Sequence, residues 1–152
     1  MQAFKNILIP TDFSQAAWNA VQLGAKMAIA GETEVTLLHV FPSSAKFDSR
    51  KGELDIQDLN FIDDLKSKMD FFCNDLRKQH KVSFKSIILG GAVEEEICQY
   101  LQDNVFDLVI IGINSNGMDN EPGSHTTGII ANSTAPVLVV PNEIVNQKTL
   151  VA

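Results

Sequence analysis

Two sites in the last third of the chain carry the residues best suited to bind an anion. Gly112 ends the apolar run Leu108-Val109-Ile110-Ile111, and Gly123-Ser124-His125 stands at the start of a predicted helix. Between them lies a loop rich in Asn, Ser and Gly. A glycine loop between a buried strand and a helix N-terminus aims backbone N–H groups and the positive end of a helix dipole at one point, where a phosphate can sit. The segment Asp107–Pro141 thus reads strand, polar loop, helix, strand in 35 residues. Its charge works against that chemistry, because the loop holds Asp119 and Glu121 and neither Lys nor Arg.

Other residues with chemical potential stand near the ends of apolar runs. Thr11 and Asp12 follow the first run, at the C-terminal edge where open α/β sheets bind ligands. Either could contact a ligand, or could hold the turn into a helix that begins near Ser14. Gly112 equally serves a turn or a ligand. Ser124 caps the last helix with or without a ligand, and such a cap contributes about 1 kcal/mol. His125, in the first helical turn, has two open roles, a phosphate donor or a surface residue. His39, His80 and His125 are far apart without ligand spacing, which argues against a zinc site. No Gly-x-Ser-x-Gly elbow surrounds a serine, and Glu94-Glu95-Glu96 are consecutive, so they splay around a helix start instead of pairing for acid–base work. Cys73 and Cys98 fall in helical patterns and read as small core residues. No catalytic residue is assigned, and an enzyme is not expected.

The elements that must position these residues alternate regularly. Five apolar runs read as buried parallel strands: Phe4 to Ile9, Val35 to Val40, Phe84 to Leu89, Leu108 to Ile111 and Val137 to Val140. Helices are predicted over Ser14–Ala30 with Gly31 as the stop, about Ile56–His80, Ala92–Asn104 and Ser124–Asn132. The order βαβαβαβαβ implies a doubly wound, three-layer α/β sandwich with right-handed crossovers. Residues 43–55 read as a flexible surface loop, and the stretch after Pro141 as a less regular tail.

With 152 residues, 45% of them apolar and 20% charged, the chain suits one soluble domain. No apolar run approaches the roughly 20 residues that span a bilayer, and no signal peptide is evident at Met1-Gln2-Ala3-Phe4-Lys5. A cytoplasmic location without membrane association is expected. The net charge is −7, and from Ser86 to Gln147 there are eight acids and no Lys or Arg. That half cannot neutralise a phosphate backbone, so nucleic acid is not an expected partner.

The runs Lys5-Asn6-Ile7-Leu8-Ile9-Pro10-Thr11-Asp12-Phe13-Ser14, Leu38-His39-Val40, Asp107-Leu108-Val109-Ile110-Ile111-Gly112 and Ala135-Pro136-Val137-Leu138-Val139-Val140-Pro141 together resemble the universal stress protein (UspA-type) family. The resemblance extends from Phe4 to Pro141. It implies a universal stress protein domain over residues 1–141 with a tail at 142–152, and a five-stranded parallel sheet in the order 3-2-1-4-5, of the adenine nucleotide alpha hydrolase-like kind. It also implies a homodimer through the last strand.

Nucleotide-binding members of that family resemble one another in a Gly-x-x-Gly, nine-residue, Gly-Ser/Thr signature. Here Gly112 matches the first glycine, Ser115 replaces the second, and Gly123-Ser124 match the final pair after only seven residues, Asn116 to Pro122. The family's loop arginines are missing. The resemblance implies that Thr11, Asp12, Val40 and Gly112 would meet adenine and ribose. Ser115, Gly123, Ser124 and His125 would face phosphates. Two functions follow. One is a dimeric stress-response interaction module with a degenerate nucleotide pocket, acting on protein partners that the sequence does not name. The other is an ATP- or AMP-binding module with Mg²⁺ or Mn²⁺ and at most slow hydrolysis.

Overall fold

A computed structural model describes residues 4–51, 59–113 and 124–141. Six strands and four helices follow in the order β1 (Asn6–Pro10), α1 (Gln15–Met27), β2 (Glu34–Pro42), β3 (Phe47–Asp48), α2 (Leu59–Gln79), β4 (Ser83–Gly91), α3 (Val93–Asp103), β5 (Leu108–Ile113), α4 (Ser124–Asn132) and β6 (Val137–Pro141). They build one sheet in the order β3-β4-β2-β1-β5-β6, parallel except for β3.

The expected five parallel strands are present in the expected order, and the sixth strand is the difference. Phe47 and Asp48 pair antiparallel with Gly90 and Leu89, so part of the stretch read as a loop is an edge strand. Phe47 drives this: its ring is buried 5.9 Å from that of Phe41. Ser49 then exchanges hydrogen bonds with Ile88, its N–H donating to the Ile88 carbonyl and its Oγ accepting from the Ile88 N–H. Residues 52–55 of the same stretch, and the tail at 142–152, lie outside the described residues.

Strand side chains alternate between the two faces, as a two-residue period requires. Ile7, Ile9, Val35, Leu37 and Ile110 meet α1 and α2 on one face. Leu8, Leu38, Ile87, Val109 and Ile111 meet α3 and α4 on the other. Cys73 is buried on the first face and Cys98 packs on the second, so the sheet separates the two free thiols. Among the described residues no helix is long and apolar enough to cross a membrane.

Several ends differ from the expected ones. Helix α1 stops at Met27, where the Ala28 N–H closes on the Gly24 carbonyl, three residues before the predicted end. The Ile29 N–H instead donates to Thr33 Oγ1, whose hydroxyl donates to the Phe4 carbonyl, and this pulls the chain away from the helix axis. Strands β2 and β4 run past their predicted stops, with Phe41 opposite Gly90 and Pro42 opposite Gly91. Gly90 permits this because the Phe41 ring fills the place a side chain would need, its Cζ 2.6 Å from where a Cβ would stand.

Candidate functional site

The sheet reverses its direction of winding between β1 and β5. From β1 the chain moves to β2 and β4 under α1 and α2, and from β5 it moves the other way to β6 under α4. Open α/β sheets bind ligands in the crevice at the carboxyl ends of the strands that flank such a reversal. The pairings Pro10–Leu38, Leu8–Val109 and Gly112–Val140 bring Thr11, Val40 and Gly112 to this one edge.

The turn from β1 into α1 is built from its own side chains. The Thr11 N–H continues the ladder to the Leu38 carbonyl at 2.8 Å. Buried Thr11 then offers Oγ1 to the Phe13 N–H at 3.1 Å, and exposed Asp12 offers Oδ1 to the Ser14 N–H at 2.9 Å. Ser14 caps α1, its Oγ accepting from Ala17 N–H at 3.2 Å, as its place in the sequence predicts. Phe13 between them adopts φ 65°, a left-handed conformation that a residue with a Cβ rarely takes. Two amides of this turn are therefore occupied by Thr11 and Asp12. One carboxylate oxygen of Asp12 serves the turn while the side chain remains open to solvent.

His39 stands beside the turn. Its Nδ1 lies 2.8 Å from the Thr11 carbonyl oxygen, and its ring lies 4.7 Å from that of Phe13. Burial lowers its pKa below 6.5, against the Thr11 hydrogen bond and the Asp12 charge that raise it; Lys68 lowers it further. The ring is thus neutral at pH 7. Because a carbonyl only accepts, the proton must be on Nδ1, leaving the Nε2 lone pair as an acceptor.

Gly112 occupies its position for a steric reason. A Cβ there would overlap the backbone carbonyl of Ala16 in α1 and stand 2.9 Å from the Ala17 nitrogen. The first turn of α1 consequently lies directly on β5. Val40 is buried in the second core, so what it can present to the crevice is backbone. Ser124 and His125 open α4 as expected. Ser115 and Gly123 lie outside the described residues. Near α4, the Glu94 carboxylate packs against Gly128, where a Cβ would overlap it, so a further acid stands by this helix.

The fold thus brings Thr11, Asp12, Val40 and Gly112 together. It adds two features that sequence reasoning missed. Phe13 turns its ring toward Phe72 and His39, and nothing in a lone phenylalanine signals a left-handed backbone. Lys68, from the first half of the chain, comes near enough to act on His39, although the loop itself has no cation. Among the described residues no group of three His, Cys, Asp or Glu could hold a metal ion.

A sequence profile of the universal stress protein family matches residues 3–141. The chain belongs to the universal stress protein family. Universal stress protein MJ0577 of Methanocaldococcus jannaschii is 34% identical over 155 residues, spanning 90% of this chain and 94% of that protein. The solved MJ0577 structure superimposes with a TM-score of 0.66 at 28% identity, covering 92% of this chain and 97% of that one. Two more distant structures share the fold. A family member from Arabidopsis thaliana with AMP bound gives 0.63 at 17% identity, covering 90% of each chain. A universal stress protein in complex with cAMP gives 0.67 at 13% identity, covering 93% of this chain and 99% of the other.

Proposed function

We propose that this universal stress protein is a non-catalytic binding module whose β1–β5 crevice takes adenine and ribose but receives a triphosphate poorly. One observation carries the reading: exposed Asp12 stands at the β1 end of the crevice and the Glu94 carboxylate packs against Gly128 midway along α4, while the chain holds no Lys or Arg between Ser86 and Gln147. An adenosine group needs shape and a few hydrogen-bonding atoms, which Thr11, Asp12, Val40 and Gly112 would offer. Three phosphates need cations, and like charges at short range near a surface oppose one another by up to about 4 kcal/mol. The AMP and cAMP complexes of the distant family members support the adenosine part of this reading. Ser115, Gly123, Ser124 and His125 would supply amides and hydroxyls for one phosphate.

A divalent cation such as Mg²⁺ or Mn²⁺ would enter with the phosphates of ATP, since among the described residues no group of three His, Cys, Asp or Glu offers it a site. In this reading the protein is cytoplasmic, dimerises through the outer edge of β6 and acts on protein partners, with the nucleotide as a modulator. Half-buried Val137, Leu138 and Val139 give β6 an apolar character that pairing with a second copy would cover.

Thermal unfolding with AMP, cAMP and ATP, each with and without Mg²⁺, tests the reading. A ligand at 100 times its dissociation constant stabilises by about 2.7 kcal/mol. The expected order is AMP above ATP, with Mg²⁺ narrowing the gap. ATP bound more tightly than AMP in the absence of metal would overturn it.

A further inference from the structure

Helices α1 and α2 run side by side on one face of the sheet, and the seam between them is closed at one end only. At the far end Gln22 Nε2 donates to Gln79 Oε1 at 3.0 Å, and Gln22 Oε1 meets His80 Nε2 at 3.0 Å. At the near end the helices leave a groove of about 630 Å³, floored by Phe13, Trp18 and Phe72. The Trp18 and Phe72 rings lie 4.9 Å apart. Beside this hollow Phe71 projects with 77% of its surface in water. An apolar knob next to an aromatic hole is self-complementary, since a two-fold axis puts each knob over the other copy's hole.

The charges on the same stripe of α2 identify the occupant. Asp64, Lys68, Phe71, Asp75 and Lys78 are spaced by three or four residues and so share one helix face. The stripe reads minus, plus, aromatic, minus, plus. When a copy of α2 is turned antiparallel about Phe71, position 68 faces 75 and position 64 faces 78. Every charge then meets its opposite: Lys68 faces the second copy's Asp75, and Asp64 faces its Lys78. A parallel arrangement would stack like on like.

We propose that a second copy of this chain docks here, α2 against antiparallel α2, with Phe71 of each copy entering the Trp18–Phe72 groove of the other. The surface lies on a helical layer, away from the β6 edge, so it adds an association step to whatever β6 supports.

Sedimentation velocity and light scattering across the micromolar range test the assignment with the full chain. Wild type is expected to show an association step that Phe71→Glu weakens by about 30-fold or more, the effect of losing a central aromatic anchor. Because Phe71 is exposed, that variant keeps its fold, which circular dichroism checks. Lys68→Glu and Asp75→Lys are each expected to weaken association about fivefold. The double variant Lys68→Glu/Asp75→Lys is expected to restore it to within about threefold of wild type, since the reversed charges again meet opposites. The proposal is overturned if wild type forms no species beyond those of Phe71→Glu, or if the double variant associates as weakly as the singles.

Discussion

Gly112 in β5 lies directly beneath the Ala16 carbonyl of α1, with no room for a methyl group between strand and helix. The obstacle is backbone, so no rotamer change can remove it. Gly112→Ala is expected to lose about 3 kcal/mol or more, at or beyond the upper end for overpacking, by forcing α1 away from the sheet. Gly128→Ala provides the contrast, because its obstacle is the Glu94 side chain, which can swing aside. That variant also gains the helix propensity of alanine and should stay within about 1 kcal/mol of wild type. Urea unfolding measures both, and equal losses would show that the rigidity of the obstacle is not what matters.

Asp12 has a structural duty and a proposed ligand duty, and two variants separate them. Asp12→Asn keeps an oxygen for the Ser14 N–H, so its unfolding midpoint should match that of wild type. Asp12→Ala removes the acceptor and should cost about 1 kcal/mol, as for a lost hydrogen bond. If the carboxylate also holds a ribose hydroxyl, both variants weaken AMP binding about tenfold in calorimetry, because charge-assisted bonds are the stronger kind. Unchanged AMP affinity in Asp12→Asn would confine Asp12 to the turn.

The sheet was legible because its strands are short runs of Val, Ile and Leu buried on both faces, such as Ile7-Leu8-Ile9 and Val109-Ile110-Ile111. Their order came from the resemblance, since apolar pattern alone does not say which strand lies beside which. Ser14 was legible from local capping chemistry, and α4 has its predicted span with Ser124 as the first helical residue. The edge strand at Phe47 was not, because pairing there depends on a ring finding Phe41 after the chain has crossed the sheet. At the site, Thr11, Asp12 and Gly112 could be found as positions but not as contacts. The Thr11 hydroxyl turns inward to the Phe13 amide, and Gly112 is demanded by a helix nearly a hundred residues earlier in the chain. Lys68 reaches the neighbourhood of His39 only through the packing of α2.

The left-handed backbone at Phe13 can be tested through its two small replacements. Both Phe13→Ala and Phe13→Gly lose the ring contacts with His39 and Phe72, so both should be less stable than wild type. Alanine retains the strain at φ 65°, whereas glycine takes that conformation freely. The usual order of the two residues is therefore expected to invert, with glycine more stable by about 1 kcal/mol. Alanine as the more stable of the pair in chemical denaturation would mean that the turn relaxes once the ring is gone.

His39 should make stability fall on mild acidification. Burial sets its folded pKa below 6.5, so as pH drops through 6.5 the unfolded chain takes up a proton that the folded protein still refuses. Stability then rises with pH in that window and is lost as pH falls, levelling off once the folded ring is also protonated. Protonation does not disturb the Nδ1–H bond to the Thr11 carbonyl, so the loss comes from charging a ring packed against Phe13. His39→Asn keeps a donor near Nδ1 but cannot titrate. The stability advantage of wild type over this variant is expected to shrink between about pH 7.5 and about pH 5, measured by urea unfolding at each pH. An advantage that stays flat would mean that folding leaves the His39 pKa at its ordinary value, and one that grows on acidification would mean that the folded protein favours the charged ring.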